Sequence, residues 1–131
     1  MNALQLLKLI NTQGFSPDLQ EQVILTGDAE LAYRFAHDLL ESDLERLECI
    51  IATTKIPRIA YEFALIKASR GGNIEKLQAL IIDAADGGLM ILFAVDVVGA
   101  DIDLFEESIR KLPEAKYLQL FEAEIRQKGF Y

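Results

Sequence analysis

The chain has 131 residues, a hydrophobic content of 51% and a formal net charge of −8, which is enough apolar material for one compact domain with a core. Affinity for nucleic-acid backbones comes mainly from Lys and Arg, so this acidity argues against direct nucleic-acid binding. The longest purely apolar run, 89–95, is far short of the roughly 20 residues of a membrane-spanning helix. We therefore expect no membrane contact.

The first residues and the cysteine content predict the compartment. Residues 1–10 lack the cationic start, apolar run and cleavage site of a signal peptide in that order. Cys49 is the only cysteine of the sequence, so it cannot form an intramolecular disulfide. We expect a cytoplasmic protein.

The predicted elements are helices that repeat along the chain. A leading helix is predicted over 2–12, and an aromatic-alanine pair then recurs at Phe35-Ala36, Phe63-Ala64 and Phe93-Ala94, with Phe121 in the same place near the end. These phenylalanines follow one another at nearly equal intervals, and an apolar set with the spacing of one helix face follows each pair. First helices of the units are expected near 29–40, 57–69, 88–98 and 114–128, and second helices near 17–25, 43–54, 73–84 and 102–111.

Short local signals agree with these boundaries. Ser42-x-x-Glu45 and Asp103-x-x-Glu106 match the capping box that begins a helix. Pro57 and Pro113 are placed where new helices should begin, because the first-turn amide is unpaired there. Gly99 is placed to end a helix in a left-handed residue.

Hairpins of this kind cannot bury their apolar faces singly, so they should stack around one continuous core. The predicted fold is all-α, a short α-solenoid of stacked helical hairpins with a period of about 28 residues. It forms one domain over 1–131, with an N-terminal capping helix in 1–16, repeats in 17–112 and a C-terminal capping helix in 113–131. A weaker alternative makes the β-branched segment 89–98 a strand.

Two stretches of the sequence resemble a known kind of repeat. They are Tyr33-Arg34-Phe35-Ala36-His37-Asp38, followed by Asp43-Leu44 and Leu47-Glu48, and Leu92-Phe93-Ala94-Val95-Asp96-Val97, followed by Gly99-Ala100-Asp101. They are similar to the short helical repeats of bacterial and phage proteins, whose consensus is close to Y-x-F-A-x-D-V-x-G-A-D. The similarity covers roughly 17–125, and the middle unit departs from it at 65–67 and at the Gly71-Gly72 insertion. The resemblance implies a fold and no activity.

Patterns that would indicate catalysis or a cofactor are weak. One histidine, His37, and one cysteine, Cys49, cannot form a typical zinc site. A Cys-His nucleophilic pair is conceivable, but a core-proximal Cys49 and a polar-face His37 are the simpler interpretation. The pairs Gly71-Gly72 and Gly87-Gly88 lack the strand-to-helix setting of a phosphate loop and predict turns. We expect no enzyme activity, no metal and no cofactor.

Charge is distributed unevenly along the chain. The segment from Leu77 to Ile109 contains seven carboxylates and not one Lys or Arg. A one-signed surface either keeps the protein soluble or meets a basic partner surface. The candidate partner-binding residues are Asp96, Asp101, Asp103, Glu106 and Glu107, together with the aromatic end Phe130-Tyr131.

These observations predict a non-catalytic protein-protein interaction module. Its partner should be a protein with a basic surface, and the sharpest version is a small acidic inhibitor of the phage anti-defence or immunity type. The alternative is a homo-oligomerising structural or adaptor protein.

Overall fold

The computed structural model describes residues 2–129, and every regular element in that range is an α-helix. The helices are α1 Ala3–Gln13, α2 Pro17–Thr26, α3 Ala29–Asp38, α4 Leu44–Thr54, α5 Pro57–Ser69, α6 Glu75–Ala84, α7 Gly87–Asp96, α8 Ile102–Arg110 and α9 Ala115–Gln127. The prediction of an all-α fold is confirmed. The alternative of a strand over 89–98 is wrong, because most of that segment lies in α7.

The helices form two rows. Each odd-numbered helix contacts the next odd-numbered helix, from α1 through α9, and in the second row α2 contacts α4 and α4 contacts α6. Consecutive helices also pack on each other as hairpins. This arrangement is that of a short helical solenoid, in which each hairpin shares its core with its neighbours.

Phenylalanines of the odd-numbered helices lie at the centre of the core. Phe35, Phe63, Phe93 and Phe121 are all 0% exposed, and each burial contributes on the order of 1.5–3 kcal/mol. They belong to one continuous buried cluster that extends from α1 to α9. The recurring aromatic residue of the sequence is therefore the element that joins the two rows.

Helix bounds show a longer repeat than the single hairpin. The same difference in residue number separates the starts of α2 and α6, at 17 and 75, and their ends, at 26 and 84. This constant difference, here called the copy offset, also relates both ends of α3 to those of α7, both ends of α5 to those of α9, and the start of α4 to that of α8. The chain is thus a leading helix followed by two copies of a four-helix unit, here called the first copy (α2–α5) and the second copy (α6–α9).

Long-range hydrogen bonds repeat at the copy offset. The backbone N–H of Asp43 donates to Oε1 of Gln20 at 2.7 Å, and that of Asp101 donates to Oε1 of Gln78 at 2.9 Å. Both glutamines are buried, and both bonds fix the start of an even-numbered helix to the preceding even-numbered helix. The two copies therefore use the same device to set their hairpin spacing.

Several predicted helix boundaries need correction. The N-caps of α4 and α8 are Asp43 and Asp101, whose side chains accept from backbone amides three residues on. Neither Ser42 nor Asp103 caps a helix, because Asp43 and Asp101 occupy the N-cap positions of α4 and α8. Pro57 does begin α5, whereas Pro113 precedes α9 by two residues. Gly99 has a positive φ of 85°, but it lies in the turn that follows α7.

Gly87 and Gly88 form the first turn of α7, so the prediction of a turn at this pair is wrong. The side chain of Asp86 caps this helix by accepting from the N–H of Leu89 at 3.1 Å. A Cβ on Gly87 would lie 2.4 Å from Cγ of Tyr117. Glycine is needed here because the Tyr117 ring packs directly on the backbone of α7.

The first copy fills the equivalent positions differently. At the copy offset, Ala29 corresponds to Gly87 and Ile59 corresponds to Tyr117, and both Ala29 and Ile59 are buried. A larger residue on α7 with a smaller one on α9 would restore the combination found in the first copy. The two copies thus conserve volume at this contact, as tolerated core exchanges do.

We expect Gly87→Ala to lower the free energy of unfolding by about 1–3 kcal/mol through overpacking against Tyr117. The double variant Gly87→Ala, Tyr117→Ile should recover most of that loss. Gly88→Ala is the matched control, since its Cβ would meet only Asp86 Oδ1, at 3.4 Å. Urea unfolding followed by circular dichroism measures all three, and equal midpoints for Gly87→Ala and wild type would contradict the assignment.

Candidate functional site

An open groove runs between α7 and α9 in the second copy and has a volume of about 720 Å³. Its apolar lining is Leu89, Ile91, Leu92, Val95 and Leu120, and its charged lining is Asp86, Asp96, Glu124 and Lys128. Leu92 is 41% exposed and Leu120 is 51% exposed, so the apolar surface is open to solvent. We call this surface the α7–α9 groove and its three carboxylates, Asp86, Asp96 and Glu124, the acidic rim.

The structure places the predicted acidic residues on two elements. Asp96 ends α7, lines the α7–α9 groove and accepts a hydrogen bond from the Tyr61 hydroxyl at 2.8 Å. Asp101 caps α8, where its side chain accepts from the N–H of Leu104 at 3.1 Å. Asp103 is exposed in the first turn of α8. Of the five predicted acidic residues, Asp96 is therefore the one that lines the groove.

The two predicted glutamates of α8 have cationic neighbours. Arg110 donates to Glu106 at 2.7 Å, and Lys111 lies 3.5 Å from Glu107. The two residues of each pair are one helical turn apart on the surface, and their cations partly offset the negative charge of the glutamates. The predicted Phe130 and Tyr131 lie outside the described residues.

A second groove of about 510 Å³ lies at the equivalent place in the first copy, between α3 and α5. Tyr33 and His37 line one wall, and Tyr61, Glu62 and Ile66 are among the residues of the other. The copy offset relates the two surfaces position by position: Arg34 corresponds to Leu92, His37 to Val95 and Glu62 to Leu120. Three exposed or half-exposed polar positions of the first copy are therefore aliphatic in the second.

One exchange runs in the opposite direction. Ile66 of the first groove corresponds to Glu124 of the α7–α9 groove. The second copy thus has a more apolar centre, and its third carboxylate is Glu124 instead of a residue at the place of Glu62. The fold does not require this combination, because the first copy forms the same helices without it.

Burial, together with the hydrogen bond to Asp96 and the negative charge of that carboxylate, raises the pKa of Tyr61 to about 12. The phenol is therefore a stable donor to Asp96 at neutral pH. This bond joins α5 of the first copy to α7 of the second. It fixes the orientation of one rim carboxylate of the α7–α9 groove.

A buried ion pair joins α4 and α5 in the first copy. Lys67 is 2% exposed, and its Nζ lies 2.7 Å from Oε2 of the equally buried Glu48 and 3.0 Å from the exposed Glu45. Burial lowers the pKa of Lys67, but the hydrogen bonds and charges of the two carboxylates outweigh it and raise the pKa overall. The lysine is therefore held as a cation, with its charge already matched by the protein.

This ion pair is specific to the first copy. Ile125 corresponds to Lys67 at the copy offset and is itself fully buried. A lysine that is 2% exposed and bound by two carboxylates has the features of a packing element. Its replacement by isoleucine in the second copy agrees with that assignment.

Residues considered for nucleophilic chemistry have separate surroundings. The ring of His37 lies 2.8 Å from Asp38, and its centre is 5.8 Å from that of the Tyr33 ring. Cys49 is exposed, contrary to its predicted position near the core, and its Sγ contacts the backbone oxygen of Glu45 at 3.5 Å. Within 2–129, no group of three or more His, Cys, Asp and Glu side chains is placed to hold a metal ion. No helix in that range is long and apolar enough to cross a bilayer.

Comparison with known proteins gives no relative for this chain. No protein-family model, curated protein or solved structure matches it. The resemblance to short bacterial and phage repeats therefore stays a prediction.

We expect Lys67→Ile to lower the free energy of unfolding by about 3–5 kcal/mol, because it leaves Glu48 buried without its cation. The double variant Lys67→Ile, Glu48→Leu should be close to wild type or more stable, since an apolar pair of similar volume avoids the cost of desolvation. Urea unfolding measures the free energy of unfolding of both variants, and the m-values should equal that of the wild type. Equal losses in the single and double variants would contradict an ion-pair role.

Titration of Tyr61 provides a second test. The ordinary tyrosine pKa is 10.0 and the folded value about 12, so the stability that this group contributes is complete below pH 10 and lost as the pH rises to 12. The difference in phenolate absorbance between wild type and Tyr61→Phe isolates this residue. We expect its midpoint near pH 12 and a lower midpoint when Asp96→Asn is present in both proteins; a midpoint that Asp96→Asn leaves unchanged would contradict the hydrogen bond.

Proposed function

We propose that the chain is a non-catalytic protein-binding module whose second copy holds a partner with a basic surface. The single observation that supports this most strongly is the α7–α9 groove, where exposed leucines are combined with three carboxylates. Hydrophobic grooves are a recurring type of protein-binding site. Opposite charge at the edge of such a site raises the association rate and selects against wrong partners.

The sequence around the groove supports the same partner chemistry. From Leu77 to Ile109 the chain has no Lys or Arg, and the groove itself has Lys128 as one cation against the three carboxylates of the acidic rim. An acidic partner would meet repulsion here. A basic partner would form charge-assisted contacts around an apolar centre.

The same charge argues against the alternative of self-association through this surface. Two copies of the groove would bring two acidic rims together, and like charges in contact disfavour binding. A homo-oligomer would therefore have to use another face. The proposal of a heterologous protein partner is the simpler one.

The sharpest form of the proposal is an inhibitor. A protein of 131 residues with a net charge of −8 could cover the basic surface of an enzyme or of a nucleic-acid-handling complex. An inhibitor of the phage anti-defence or immunity type is the version that we propose. Such a protein needs affinity and no chemistry of its own.

We expect the immobilised chain to capture a basic protein from a lysate of its host cell and to lose it as salt rises, because rim contacts are screened. Neutralising the acidic rim with Asp86→Asn, Asp96→Asn and Glu124→Gln should weaken capture at least tenfold, while asparagine at 86 still caps α7. The matched control neutralises three exposed carboxylates of the first copy, Asp18, Glu30 and Glu41. Equal losses of capture in both variants would show an effect of net charge alone and contradict a specific role of the acidic rim. Capture of no partner by the wild type would contradict the proposed function.

A further inference from the structure

The two copies of the four-helix unit act as an internal comparison for surface residues. Where the fold alone determines a residue, both copies should satisfy the same requirement, as they do with Phe35 and Phe93 or with Gln20 and Gln78. Exposed positions carry no such requirement. Solvent contact favours polar residues, and the first copy has Arg34, His37 and Glu62 where the second has leucine, valine and leucine.

From this difference, and resting on the proposed protein-binding function, we infer that the α7–α9 groove binds an amphipathic α-helix whose apolar stripe is flanked by Lys or Arg. Leu92 and Leu120 are the anchoring surface for the stripe, and the acidic rim contacts the basic flanks. The equivalent groove between α3 and α5 keeps polar residues and lacks this specificity.

A helical partner is favoured by the hydrogen-bonding chemistry of the groove. Its apolar lining consists of aliphatic side chains, which offer no donor or acceptor to a bound backbone. An extended peptide would leave amide groups unpaired over this surface, whereas a helix satisfies them internally. The described residues have no sheet edge to which a strand could be added.

The length of α7 sets the length of the contact. Ten residues, Gly87–Asp96, rise about 15 Å, so about three turns of a partner helix can lie along it. Asp86 and Asp96 stand at the two ends of this stretch and Glu124 lies on the other wall. Basic residues at both ends of the apolar stripe can therefore reach a carboxylate.

A small apolar molecule fits this surface less well. Ligand pockets for small molecules bury roughly 70–90% of the ligand, but both leucines of this groove are open to solvent. A long surface without a closed cavity gains more from an elongated partner. Helix-in-groove binding uses this geometry, with anchors spaced along one face of the partner.

The test uses three labelled synthetic peptides, each long enough to span the groove as a helix, and the full chain. The first is a leucine-lysine amphipathic helix, the second has the same composition permuted so that no apolar stripe forms, and the third has glutamate in place of lysine. Fluorescence anisotropy measures the dissociation constants. We expect the first peptide to bind at least tenfold more tightly than the other two.

Two double variants locate the site. Leu92→Arg with Leu120→Glu introduces the residue types of positions 34 and 62, which the first copy accommodates at the equivalent places, and leaves the net charge unchanged. Leu25→Arg with Leu4→Glu makes the same exchanges at leucines that are 78% and 64% exposed outside the groove. The groove variant should weaken binding of the first peptide at least tenfold, and the control variant should leave it unchanged.

The outcomes separate this inference from the proposed function. Equal affinities for the first and permuted peptides, or equal effects of the two variants, would contradict helix binding by the groove. The proposed function would then still be tested by the salt-dependent capture of a basic protein. No binding of the first peptide at millimolar concentration would also overturn the groove. If the groove binds the first peptide but the chain captures no basic protein from the lysate, the proposed function is contradicted and the groove is not.

Discussion

One phenylalanine from each of α3, α5, α7 and α9 must be covered by more than its own hairpin, and the rest of the structure follows from that requirement. A single pair of helices would leave this side chain open to water, at a cost of roughly 1.5–3 kcal/mol for each ring. Stacking a further hairpin covers it, and all four rings reach 0% exposure. The leading helix α1 and the final helix α9 close the two ends of this shared core.

Duplication of a four-helix unit separates what the fold needs from what it permits. The glutamine bonds to Asp43 and Asp101 recur at the copy offset, so they are part of the scaffold. The buried Lys67 has an isoleucine as its counterpart, so the scaffold accepts either an ion pair or an apolar contact there. The exposed leucines of α7 and α9 also differ from their counterparts in the first copy, so the scaffold does not explain them.

The helical class and most helix bounds could be predicted, because the phenylalanine period and Pro57 are strong local signals. Prediction failed where a long-range contact decides: distant glutamines select Asp43 and Asp101 over the expected caps at 42 and 103, and the Tyr117 ring requires Gly87 inside a helix. The α7–α9 groove was harder to predict from the sequence. The hairpin repeat aligns α3 with α5 as well as with α7, so it does not fix which residues of the two grooves correspond. Only at the copy offset, which the helix bounds reveal, does each aliphatic residue at 92, 95 and 120 have one polar counterpart.

Negative charge by itself is weak evidence for a partner in this protein. Asp86 and Asp101 cap helices, Asp96 accepts from Tyr61, and Glu106 and Glu107 lie beside cations on α8 or directly after it. Each of these carboxylates already has a hydrogen-bond or ion-pair partner within the protein. The fold does not require Leu92 and Leu120 at their exposed surface, because charged residues occupy the equivalent positions of the first copy. The two leucines are therefore the stronger evidence for binding, and the surrounding carboxylates determine which kind of helix they would accept.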